Sequence, residues 1–118
     1  MKLKLELSHA DDKIDFFNKN LNIIGFTDYT PMIWEELSKV NWYIDEKKYL
    51  NNEKSYIYTG ASKFKTLKML HQVVMMLWYG EEEVLSAYSK KFIIEHHNNN
   101  EFNCCISNLS FASNDINL

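Results

Sequence analysis

One stretch constrains this chain more than any other: Ile93 to Asn117, IIEHHNNNEFNCCISNLSFASNDIN. Two apolar residues run into a carboxylate, Glu95, and then into two histidines, His96 and His97. An Asn-rich segment follows from Asn98 to Asn103, and the chain turns apolar again at Ile106, just before Asn108-Leu109. A strand ending in a carboxylate and an imidazole, followed by a polar loop, is a compact way to build a metal-dependent hydrolytic site. The carboxylate suits a hard divalent cation, and the imidazole exchanges a proton near neutral pH. Successive strand side chains point to opposite faces, so Glu95 and His96 act together only where the strand twists or ends.

Several spacings in this region resemble the HNH endonucleases, the ββα-metal nucleases of phages and mobile introns. His96 takes the place of the family's first histidine. Asn108 follows twelve residues later, Leu109 and Phe111 match the Leu and aromatic after it, and Asn117 lies twenty-one residues after His96. Upstream, LHQVVMMLWYG (Leu70 to Gly80) is similar to the family's helix that opens with Leu-His and ends in aromatic-x-Gly. The resemblance covers roughly Trp42 to the C-terminus. It implies an α+β fold with a ββα-metal core in residues 42–118. Residues 1–41 would form an N-terminal strand-plus-helices extension.

The resemblance also implies roles. His96 is the general base that takes a proton from the attacking water. Glu95 and Asn117 hold one divalent cation, Mg²⁺ first and Mn²⁺ second. Asn108 braces the loop and orients His96. DNA is the expected partner, and a catalytically degenerate HNH module that binds DNA or protein without cleavage is the alternative. His71 is expected to pack against the site or contact phosphate, and Lys90 and Lys91 to reach phosphate, as Lys65 and Lys68 would if their basic segment lay along a backbone. The chain departs from the family at four points. Glu95 stands for the commoner Asp, His97 for an apolar residue, which makes His97 the alternative base or a site or DNA contact, and Cys105 for a loop Arg, and the final helix, expected to be capped by Ser113, is cut short at Leu118. A missing C-terminal segment or partner is therefore expected.

Charge pulls against a nucleic-acid reading. The formal net charge is -3 and every basic residue is Lys, which removes bidentate Arg contacts to guanine. The only cysteines, Cys104 and Cys105, are adjacent, which suits neither an ordinary disulfide nor a zinc knuckle. No apolar run is long enough to span a bilayer and no leader pattern opens the chain, so a cytoplasmic protein, bacterial or phage-encoded, is expected.

The remaining elements follow from local pattern. Met1 to Leu7 alternates apolar and charged residues, a strand signal. Ser8 resembles an N-cap, and Asp11, Asp12 and Asp15 with the stripe Ile14, Phe17, Leu21 predict a helix. Thr30-Pro31 predicts another. Trp42–Ile44 and Ser55–Tyr58 predict a hairpin or small antiparallel sheet across the polar stretch Asp45–Glu53, its Tyr and Trp rings packing on the neighbouring helix or stacking on exposed bases. Gly60 to Lys68, the most basic segment, reads as a phosphate contact or a solvated edge strand. Leu70 to Gly80 predicts a buried helix, Glu81 to Lys91 a short one with acids first and lysines last, and Phe92 to Ile94 the site strand.

Overall fold

The computed structural model describes residues 1–113 of the chain. It is a mixed α+β structure around a curled antiparallel sheet. The strands β1 (Lys2–His9), β2 (Lys13–Phe17) and β3 (Ile23–Asp28) form a meander. Helix α1 (Pro31–Ser38) leads to strand β4 (Trp42–Asp45) and the short helix α2 (Glu46–Leu50). After a long irregular segment come α3 (Leu70–Tyr79), α4 (Glu81–Ser89), β5 (Phe92–His96) and β6 (Leu109–Ser113). The larger sheet has the order β3-β2-β1-β4, and β5 and β6 form a separate two-stranded hairpin.

The curl comes from β1, which serves two partners. Its first half pairs with β4 (Leu3 opposite Ile44, Leu5 opposite Trp42). Its second half pairs with β2 (Glu6 opposite Phe17, Ser8 opposite Asp15). A strand engaged at both ends on opposite edges must bend as the sheet twists. The bend wraps the sheet around Trp42, whose ring meets Phe16 edge-on at 6.0 Å and lies near-parallel to Phe64 at 6.3 Å. Trp42 is fully buried and its indole N–H donates to the Leu37 carbonyl at 2.9 Å, so its polar atom is satisfied.

The segment predicted as the first helix is strand β2. Ile14 and Phe16 are both fully buried, a period of two rather than the helical spacing of Ile14, Phe17 and Leu21. Ladder pairing on both sides of β2 outweighs the acidic start, and Asp11-Asp12 instead form the turn between β1 and β2. The expected pairing of Trp42–Ile44 with Ser55–Tyr58 is reduced to the pair Tyr43–Tyr58, on the edge of β4 opposite β1, and Trp42–Ile44 instead form their ladder with β1. Between them lies α2, capped by the Asp45 carboxylate on the Lys48 N–H at 3.0 Å. It buries no residue, so its sequence carries no apolar stripe.

The other elements form where local pattern places them. Thr30 caps α1 through its hydroxyl, which accepts from the Ile33 N–H, with Pro31 in the first turn. Gly80, at φ 98°, closes α3 and opens α4. The Gly60–Lys68 segment is a series of turns rather than an edge strand. Residues on both sides of position 41 contribute to one core. Leu5, Phe16 and Ile33 share that core with Trp42, Leu70, Val74 and Leu109. No helix among the described residues is long and apolar enough to cross a membrane.

Candidate functional site: an imidazole-lined cleft along the edge of β5

His96 is the last residue of β5 and pairs with Leu109 at the start of β6. Its face of the hairpin also carries Ile94 and Phe111 and turns toward the core; Leu109 is almost completely buried. His96 is thereby half-buried, while Glu95, opposite Ser110, is exposed on the other face. His97 shares that outer face, with Nε2 2.7 Å from the Ser110 hydroxyl. Of the two adjacent histidines, only His96 joins the ring cluster described next.

The loop between the strands is built from its asparagines. Asn98 Oδ1 accepts from the Asn100 N–H, Asn100 Oδ1 from the Phe102 N–H, and Asn103 Oδ1 from the Cys105 N–H. These are Asx turns, the local geometry Asn side chains favour. Asn99 takes the left-handed φ of 61°, which Asn tolerates better than most residues. Asn108 closes the loop: Oδ1 accepts from the Asn98 N–H, and Nδ2 donates to Asn98 Oδ1 and to the Asn103 carbonyl. The expected brace therefore exists as three hydrogen bonds made by one nearly buried side chain.

Helix α3 brings His71 to the same place. Its ring centroid lies 4.9 Å from that of His96 and 5.1 Å from Tyr56, and Tyr56 lies 6.1 Å from His96. His71 packs, as expected, and it packs against the site. It is 7 % exposed, and its buried Nδ1 has no hydrogen-bond partner among the described residues. Burial, with the neighbouring His96 second, lowers its pKa to about 3, so it is neutral at physiological pH. Burial also lowers the pKa of His96; Glu101 opposes that shift and Lys54 adds to it. His96 Nε2 lies 4.0 Å from the Sγ of Cys104, a thiol that burial pushes far above its ordinary range.

These groups line a cleft of about 1040 Å³. Residues of both faces of β5, from Ile93 to His97, line it, so the cleft runs along the strand's outer, unpaired edge. Tyr56, His71, Glu101 and Lys54 are among the other residues that line it, with Tyr88. Lys54, Glu101 and Cys104 were not singled out as site residues in the sequence. None sits in a periodic pattern or beside His96 in the chain, and only the loop and the segment before α3 bring them together.

Of the lysines expected to contact phosphate, none lines this cleft. Lys65 pairs with Glu81 at 3.0 Å and Lys68 Nζ donates to the Ala61 carbonyl at 2.6 Å. Lys90 and Lys91 are exposed between α4 and β5. Glu95 reaches the cleft, and Asn117 lies outside the described residues. Ser113, expected to cap a final helix, ends strand β6. Among the described residues no three His, Cys, Asp or Glu side chains converge to hold a metal ion. Comparison with protein-family models, curated proteins and solved structures returned no match.

Proposed function

We propose that this chain is an HNH-type endonuclease that hydrolyses DNA phosphodiester bonds with a divalent cation, acting in the cytoplasm of a bacterial or phage-infected cell. The observation that carries the reading is the loop brace. Asn108 clamps the Asn98–Asn103 loop directly behind His96, the part the HNH spacing assigns to that Asn. His96 is the general base, and its lowered pKa keeps the imidazole free to accept a proton at neutral pH. Its Nε2 faces the Cys104 thiol, so Nδ1 is the nitrogen assigned to the water proton.

The ion is assigned to oxygen donors that suit a hard cation. Glu95 is an exposed carboxylate on the cleft, Asn117 would supply a second oxygen, and water and substrate phosphate would complete the shell, as is usual for Mg²⁺ and feasible for Mn²⁺. When bound, such an ion supplies charge stabilisation at the phosphate and the departing oxygen. A second reading, a degenerate module of this fold that binds without cutting, is favoured by one observation. Glu95 and His96 pair with Ser110 and Leu109 and so leave opposite faces of the hairpin.

Nicking of supercoiled plasmid in Mg²⁺, Mn²⁺ or EDTA, with wild type beside His96→Ala, tests the two. Metal-dependent relaxation that the variant loses is the expected result. Wild type inert with every ion, or His96→Ala as active as wild type, overturns the nuclease.

A further inference from the structure

We infer that the strand this cleft accepts is an unpaired segment of DNA rather than an intact duplex; the inference rests on the nuclease reading above for its substrate. Gripping a duplex takes a row of cations along its phosphates, since neutralising them and releasing counterions supplies most of the affinity. The chain has thirteen basic residues. Lys54 is the one among them that lines the cleft, and it faces two carboxylates there, Glu95 and Glu101. Lys4, Lys39, Lys63 and Lys65 are held in ion pairs elsewhere. Electrostatics of this kind do not hold a duplex.

What the cleft offers instead is ring surface and backbone. Tyr56, His71 and His96 form one wall of rings with centroids 4.9–6.1 Å apart. Unpaired bases stack on such surfaces, and each stacked base contributes ~1–3 kcal/mol. Among the described residues no strand lies beside the outer edge of β5. The His96 carbonyl there accepts from the Asn99 N–H. The outward-pointing N–H and C=O of Ile94 can meet the Watson–Crick edges of unpaired bases, which a duplex has already used. A volume of about 1040 Å³ is that of a large ligand cleft, enough for a few splayed nucleotides.

The test uses the full chain with an end-labelled DNA oligonucleotide, either alone or annealed to its complement. Cleavage in Mg²⁺ is followed on gels, and binding in EDTA by fluorescence anisotropy. The single strand is expected to be bound and cut roughly tenfold better than the duplex, a difference of one stacked base. Tyr56→Leu is expected to erase that preference, with Tyr56→Phe retaining it. Duplex bound or cut as well as the single strand overturns the inference. Tight single-strand binding without cleavage supports it while overturning the nuclease.

Discussion

Asn108 and Asn98 hold each other by two hydrogen bonds: the Asn98 N–H donates to Asn108 Oδ1 at 3.1 Å, and Asn108 Nδ2 donates to Asn98 Oδ1 at 3.0 Å. A third bond from Nδ2 reaches the Asn103 carbonyl at 2.9 Å. One side chain thus fixes both ends of the loop that follows His96. Asn108→Ala removes all three bonds and is expected to destabilise the fold by about 1–3 kcal/mol. Asn108→Asp keeps the acceptor and loses both donors, so it should be nearly as costly. Urea unfolding of the three proteins checks the order; an Asn108→Ala variant as stable as wild type would contradict it.

The buried imidazoles make stability acid-sensitive. His71 has a pKa of about 3 when folded and close to 6.5 when unfolded, so between those values the unfolded chain binds a proton that the folded chain refuses. Stability is therefore full above pH 6.5 and falls with acidification, by at most about 1.4 kcal/mol per pH unit. His96, also lowered, adds in the same direction. His71→Phe should flatten the acid limb of a stability–pH curve. An unchanged slope would show that other groups set it.

His96 itself titrates in a field of two nearby charges. Burial lowers its pKa, Glu101 raises it and Lys54 lowers it. Glu101→Gln should move the His96 midpoint further down, and Lys54→Met should move it up. Imidazole NMR reads the midpoint directly, whether or not DNA is cut. Shifts of the opposite sign would place the two charges wrongly.

Gly25 sits where β3 passes the loop. A Cβ there would lie 2.7 Å from the Phe102 carbonyl oxygen and 2.6 Å from Ile57 Cδ1. Ile57 can turn aside, but the backbone oxygen cannot. Gly25→Ala is expected to cost about 1–3 kcal/mol through overpacking, in thermal or urea unfolding. Gly60, with open space around it, is the control: Gly60→Ala should be close to neutral.

Both thiols should be slow to react while the protein is folded. Burial pushes Cys104 far up and Cys105 up to about 11, so little thiolate exists at neutral pH. Labelling with a disulfide reagent is expected to be much slower in buffer than in denaturant, and to accelerate in Asn108→Ala as the loop opens. Rapid labelling of the native wild type would contradict the burial.

Elements whose cues are local were legible in the sequence. Thr30-Pro31 marks α1, the spacing from Leu70 to Gly80 marks α3, and Phe92–Ile94 reads as a strand, which runs on to His96. β2 was not, because Ile14 and Phe17 satisfy a helical stripe as well as Ile14 and Phe16 satisfy a strand. Only pairing with β1 and β3 decides between them. The site divides the same way. His96, Asn108 and the asparagine turns lie in one local stretch and could be read there. The approach of His71 and Tyr56 to His96 depends on how α3 and the segment before it pack, which no local spacing encodes.

The main-chain contact between β3 and the site loop has a consequence for solubility. The Phe26 N–H donates to the Phe102 carbonyl and the Cys104 N–H to the Phe26 carbonyl, so the loop lies against the side of β3 that β2 leaves free. An uncovered strand edge is a template for sticking to other chains. The loop that shapes the cleft is also a cover strip for the sheet. A protease cut within it would cost the protein more than its cleft, because it would release molecules prone to stack edge against edge.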